Sequence, residues 1–178
     1  MKIIVINGEA RVGKDTFVHF CSQIEPYAVY NISIIDAVKT AAIGFDWSQQ
    51  DKSEKARRFL SDLKDAWERF DDGPYQTMKW RIDLIKQSQR MRNEMDRTIV
   101  FIHSREPHDI ERFVKDYNAV TLLIRREAVE GPHDNHADSE VYDWEYDWVI
   151  ENNNLEDFKE SAHLFVEEIM KEEDKWTV

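Results

Sequence analysis

The sequence predicts an α/β fold, a three-layer α/β/α doubly wound parallel sheet of about five strands, on three observations. Short continuous apolar runs recur along the chain, as expected of strands buried on both faces. Segments with apolar residues at helical spacing separate them. The runs end at Gly8, Ser33, His103 and Arg125, which places glycine, polar and basic residues at the carboxyl edge where open parallel sheets bind ligands.

Each element has its own warrant. Ile3, Ile4, Val5 and Ile6 form the apolar run of a central strand, and Phe17, Val18, Phe20 and Cys21 recur at helical spacing after Gly13. Ala28 to Ile35 mixes β-branched and aromatic residues and reads as a second strand, followed by Asp36-Ala37-Val38-Lys39 opening a short helix. Ala56, Phe59, Leu60, Leu63 and Trp67 place a helix over about 51–70, and Asp72-Gly73-Pro74 closes it with a turn. Tyr75 to Met95 is a second long amphipathic stretch. Thr98 to Ile102 and Ala119 to Ile124 are buried strands, with a helix from Pro107 to Val114 between them. A polar stretch from Glu127 to Glu140 leads to Trp148-Val149-Ile150 and a final helix over Leu155 to Lys171. Trp144 and Trp148 alternate as two residues covering one face of a strand do, a commoner role than stacking on a base. No internal repeat or linker-like tract interrupts the chain.

The 178 residues suffice for one domain with a substantial core. Against 36 acidic residues stand 24 basic ones, a net charge of -12 that repels nucleic-acid backbones and anionic membranes. A small anionic ligand is compatible with that total where Arg11, Lys14, Lys55, Arg57, Arg58, Arg105, Arg125 and Arg126 converge locally. Cys21 is the only cysteine, so no internal disulfide forms, and it reads as a core filler. The first apolar run is too short for a signal-peptide core and no later run reaches membrane-spanning length, so a soluble cytoplasmic protein is expected.

The segment Gly8-x4-Gly13-Lys14-Asp15-Thr16 looks like a phosphate-binding P-loop. A glycine-rich turn between a buried strand and a helix aims backbone N–H groups and the helix dipole at one point, and Lys14 adds a full positive charge there. Gly8, Glu9, Ala10, Arg11, Val12, Gly13, Lys14, Asp15 and Thr16 are thus the candidate phosphate-binding residues. Asp15 stands where the usual motif has a serine or threonine, with Thr16 next. Two readings of Asp15 stay open: a magnesium ligand, or a carboxylate favoured by the positive end of the helix.

Further segments, in order along almost the whole chain, resemble the deoxynucleoside monophosphate kinases of the P-loop kinase group. Gly13-Lys14-Asp15-Thr16 resembles that family's aspartate-bearing loop, and Ser33-x2-Asp36-x2-Lys39 its segment after the second strand. Lys55-x-Arg57-Arg58-x-Leu60-x-Asp62-Leu63 is similar to its substrate-side helix, and Arg105-x-Pro107 to its arginine-bearing turn. His136-x2-Ser139-Glu140 resembles part of its lid, and Asp147-x-Val149-Ile150-x-Asn152 its last strand. The resemblance implies a single P-loop kinase-like domain over 1–178, with a helical substrate-side segment at about 45–96 and a lid at about 126–141.

It further implies transfer of the γ-phosphoryl group of ATP to a nucleoside monophosphate, most simply a deoxynucleotide, by positioning and charge neutralisation. ATP and Mg2+ are the implied cofactors, with Asp15 and Thr16 near the metal. Small-molecule nucleotides rather than nucleic acid or membrane are the partners, and a homodimer is compatible with it. Lys14, Arg105 and Arg126 are the implied catalytic residues, Arg125 a further ATP contact. Ser33, Asp36, Lys39, Arg58 and Arg105 would bind the acceptor, the arginines because guanidinium forks match phosphate oxygens.

Plainer readings compete. Arg57 and Arg58 lie among acids on a helix, where arginines are commonly solvated or paired with Glu54 or Asp62. Asp36 fits a helix cap as well as a substrate ligand. His133-x2-His136 with Asp134 and Asp138 lacks the further ligand a zinc site needs. The family's Asp-x-Arg at the end of the third core strand is His103-Ser104-Arg105 here, which removes a permanent negative charge from beside the metal. A kinase for another small acceptor, and a nucleotide-binding protein without turnover, therefore stand as alternatives. A guanine-nucleotide switch does not, since no Asn-Lys-x-Asp-like segment occurs.

Overall fold

The computed structural model describes residues 1–127 and 140–171. Five strands, β1 (Lys2–Asn7), β2 (Ala28–Ser33), β3 (Thr98–His103), β4 (Val120–Arg125) and β5 (Trp148–Glu151), form one sheet of order β2-β3-β1-β4-β5. β1 pairs in parallel with both β3 and β4, and β4 with β5. The principal helices are α1 (Lys14–Ser22), α2 (Ile35–Ala42), α3 (Glu54–Asp71), α4 (Gly73–Arg92), α5 (Pro107–Tyr117) and α6 (Leu155–Lys171). None among the described residues is long and apolar enough to cross a membrane.

The period of two along each strand divides the buried residues between two faces. Ile4, Ile6, Ile99, Phe101, Leu122 and Ile124 join Phe17 of α1 and Phe158, Phe165 and Ile169 of α6 in one core. Phe17 is its hub, with ring centroids 5.3 Å from Phe158, 5.7 Å from Phe165 and 6.4 Å from Phe101. Ile3, Val5, Val100, Ile102 and Leu123 alternate with that set and are equally buried, and α5 packs on β1 and β4 with Ile110 and Phe113 inward. Helices on both faces of a parallel sheet give the three layers. Burial pushes the Cys21 thiol up to about 12, so it packs and does not react.

The chain divides into a sheet unit, Met1–Asn31 with Asn93–Val178, and a helical unit, Ile32–Arg92. Within the helical unit α2, α3 and α4 pack on one another. Ser53 caps α3 by accepting the Ala56 N–H at 3.2 Å. Asp51 accepts the Ser53 N–H at 2.9 Å, which holds its carboxyl below the usual range.

The structure shortens the turn expected at Asp72-Gly73-Pro74. Asp72 alone is left-handed, at φ 59°, and α4 begins at Gly73, because proline in a first turn forfeits no hydrogen bond. Gly73 is required by close approach, since a Cβ there would lie 1.8 Å from the Trp67 indole nitrogen. Gly73→Ala should therefore spread the α3–α4 hairpin and cost about 2 kcal/mol, as overpacking does. The urea midpoint measures it, and an unchanged midpoint would show that the indole moves aside freely.

Two further boundaries differ from expectation. β2 stops at Ser33, short of Ile35, where the Ser33 N–H turns to donate to Asp36 Oδ2 at 3.0 Å. β5 begins at Trp148, so Trp144 precedes the strand and the two indoles do not share a strand face. The start is set by Asp147, whose Oδ2 accepts the Thr121 N–H at 2.8 Å and hydroxyl at 2.7 Å. Trp148 then packs edge-on against Phe165 at 5.4 Å, a core role.

Candidate functional site

Residues 8–13 leave the carboxyl end of β1 and enter α1, at the place in the sheet where adjacent strands send their helices to opposite faces. β1 leads to α1 on one face and β3 to α5 on the other, which opens the crevice expected at a topological switch point. The loop needs its glycines. Gly8 has φ +142° and Gly13 φ +104°, and a Cβ on Gly8 would meet the Ile124 carbonyl oxygen at 2.4 Å. Val12 is buried in the core as an anchor, whereas Ala10 and Arg11 are exposed, Arg11 left-handed at φ 68°.

Lys14 is the first residue of α1, and its ammonium turns back over the loop, donating to the carbonyl oxygens of Gly8 at 2.5 Å and Glu9 at 2.7 Å. One full positive charge is thereby held beside the first-turn N–H groups of α1, which have no acceptor within the helix. Thr16 lies half-buried in the same turn.

Asn7, Tyr146 and Tyr142, to which the sequence assigned no binding role, brace this loop together with Glu9 and Asn152. Asn7, wholly buried, accepts the Gly8 N–H at 2.8 Å and donates to the Arg105 carbonyl at 3.3 Å and the Tyr146 hydroxyl at 2.6 Å. It ties the loop after β1 to the loop after β3. Tyr146 donates onward to the Val141 carbonyl at 2.7 Å, and burial pushes its hydroxyl up to about 12, so it stays protonated at neutral pH. The buried Glu9 carboxylate accepts from Tyr142 at 2.7 Å, which turns its charge toward that ring. From the other side Asn152, in the matched last-strand segment, donates to the Val12 carbonyl at 2.7 Å.

At the same edge Asp15, Asn31 and His103 form a chain of contacts. Asn31 Nδ2 donates to Asp15 Oδ1 at 3.2 Å, and His103 Nε2 lies 2.7 Å from Asn31 Oδ1 and 3.7 Å from Asp15 Oδ1. The half-buried Arg105 lies two residues beyond the end of β3. Arg125, the last residue of β4, is half-buried, 5.8 Å over the Tyr142 ring and 3.7 Å from Glu151, while Arg126 is exposed. The two arginines thus differ in environment, as neighbours at a strand end do.

The remaining candidates belong to the helical unit. Besides the Ser33 N–H, Asp36 Oδ2 accepts from Arg81 at 3.1 Å, and Lys39 lies 3.8 Å from Oδ1. Arg81 had no signal in the sequence, being one of many basic residues on α4. Asp36 thus lies in the first turn of α2, whose N-cap is Ile34 with no side-chain cap bond, and its Oδ2 braces the turn at Ser33. Asp36, Lys39, Thr40, Ile43, Trp47 and Gln49 line a cavity of about 250 Å³, below the usual range for a whole ligand site and sized for part of a small molecule. Arg57 and Arg58 are exposed on α3. His133, Asp134, His136, Asp138, Ser139 and most of the lid at about 126–141 lie outside the described residues.

The donor set fits a nucleotide and a hard cation. A loop with two positive-φ glycines, a helix N-terminus and Lys14 suits phosphate, and the Asp15 carboxylate and Thr16 hydroxyl are oxygen donors of the kind Mg2+ takes.

No family model and no curated protein matches the chain. Its path is similar to several solved structures. These include a shikimate kinase from Aquifex aeolicus (14% identity, 96% of this chain and 99% of that one, TM-score 0.48). A sugar kinase from a Janibacter species is similar over 94% of this chain and 95% of its own, at 12% identity and TM-score 0.49. An APS kinase from Mycobacterium tuberculosis is similar over 94% and 96%, at 9% identity and TM-score 0.42. At these identities and scores the likeness assigns neither substrate nor residue roles.

Proposed function

We propose that the protein is an ATP-dependent small-molecule kinase that transfers the γ-phosphoryl group to a nucleoside monophosphate, a deoxynucleotide by the sequence resemblance. The observation that carries the reading is the loop of residues 8–13 at the switch point of the sheet, with Lys14 folded over it. Lys14 and the loop amides would hold the β- and γ-phosphates of ATP, with Arg125 a further contact. An oxygen of the acceptor phosphate attacks the γ-phosphorus as the bond to the β,γ-bridging oxygen breaks, giving ADP and a diphosphate.

Asp15 and Thr16 would hold Mg2+, which when bound supplies neutralising charge at the phosphate oxygens. Arg105 and Arg126 would stabilise charge on the transferring group, because guanidinium forks pair bidentately with phosphate. Acceptor binding is assigned to Ser33, Asp36, Lys39, Arg58 and Arg105. The helical segment at about 45–96 would form the substrate side and that at about 126–141 the lid, in one kinase-like domain acting in the cytoplasm.

The test is incubation with labelled ATP, Mg2+ and a pooled panel of ribo- and deoxyribonucleoside monophosphates, followed by resolution of the products. A labelled diphosphate is expected and identifies the acceptor. His103 in place of an acid favours a second reading, nucleotide binding without turnover. ATP binding with no transfer to any acceptor in the panel, or to a second panel of nucleosides and phosphorylated metabolites, would support it.

A further inference from the structure

We propose that Asn31 is a positioning residue for this reaction: its side-chain amide, oriented by His103, holds the Asp15 carboxylate in one direction at the mouth of the phosphate loop. The inference rests on the kinase reading and adds to it two residues from outside the loop.

The geometry starts from a freedom that Asp15 would otherwise have. Its side chain is 88% exposed, on the first turn of α1, where a carboxylate samples several rotamers. Work at a phosphate requires one direction, and a misplacement of about 1 Å is costly in transfer chemistry. Asn31, on β2 beside β3, reaches Asp15 with Nδ2 at 3.2 Å. Its other terminus, Oδ1, sits 2.7 Å from Nε2 of His103 at the end of β3.

The two contacts fix each other's polarity. A flipped amide would set its oxygen against the Asp15 carboxylate, so the N–H group faces Asp15 and Oδ1 must accept from a proton on His103 Nε2. His103 is the less mobile end, with 16% of its side chain exposed, and it sits on a strand that the core holds. The chain of contacts therefore runs from rigid sheet to exposed carboxylate. It leaves Asp15 as the one carboxylate of the three, aimed by the Asn31 amide and the His103 ring.

Calorimetric titration with ADP, with and without Mg2+, tests the proposal without requiring turnover. In the unsubstituted protein Mg2+ should tighten ADP binding. Asn31→Leu should leave Mg2+-free affinity unchanged and reduce the Mg2+ gain by about tenfold, the low end of the scale of a hydrogen bond to a charged group. His103→Leu should do the same, while His103→Gln, which keeps a donor, should restore part of the gain. In an Asp15→Asn background, Asn31→Leu should have no further effect, because the amide acts through the carboxylate.

Urea unfolding of each variant separates this from a loss of fold. A Mg2+ gain that survives Asn31→Leu, or one that falls equally with and without Asp15, overturns the proposal while the kinase reading stands. Failure of the unsubstituted protein to bind ADP at all overturns both.

Discussion

Replacing Lys14 with alanine is expected to weaken ATP binding by about a hundredfold or more and to reduce phosphoryl transfer at least as far, the scale for removing one preorganised charge-stabilising group. The expectation follows from what the loop holds at that point. The ammonium lies on the Gly8 and Glu9 carbonyl oxygens, inside the turn rather than out in solvent. Little reorganisation is needed before it meets a phosphate, and a charge already in place acts at full strength in the transition state. Structurally the lysine matters less: its loss leaves two carbonyls without one donor each, about 1 kcal/mol apiece. A large fall in affinity with a small shift in the urea midpoint is thus the signature of a binding residue. Calorimetry with ATP decides it, and unchanged affinity would remove the loop from nucleotide binding altogether.

The elements built on strong periodicity were legible from residues alone. Ile3 to Ile6 and Thr98 to Ile102 can only be buried runs, and the final helix over Leu155–Lys171 lies where its apolar spacing puts it. The turn of residues 8–13 was legible because its glycines answer a local need, positive φ and close backbone approach. What surrounds the loop was not, because it depends on which strands become neighbours. Asn31 lies far from His103 in the chain, and they meet only because β2 pairs with β3. Arg81 meets Asp36 only when α4 packs on α2. Trp144 and Trp148 misled by their spacing, since the Asp147–Thr121 bonds that start β5 fall between them. Asn7 offered one signal, a polar residue closing an apolar run just before a glycine, a place where a strand end must satisfy the polar groups of the turn that follows.

Asn7→Leu is therefore the substitution expected to damage the fold and the site together. Leucine keeps the approximate volume but removes an acceptor from the Gly8 N–H and a donor from the Arg105 carbonyl and the Tyr146 hydroxyl. Each buried polar group left without a partner costs about 1–3 kcal/mol. Tyr146 still donates to the Val141 carbonyl, which limits its share. A total near 4 kcal/mol is expected, a large part of the stability of an ordinary domain. The distinguishing readout is the loop. If Asn7 fixes the direction of Gly8 and the spacing between the turns after β1 and β3, then ATP affinity under conditions where the variant is still folded should fall about tenfold, although Asn7 touches no phosphate. Unfolding midpoints together with calorimetry at low temperature separate the two effects. Lost stability with unchanged affinity would make Asn7 a core residue only, and an unchanged midpoint would mean that water replaces all three of its bonds.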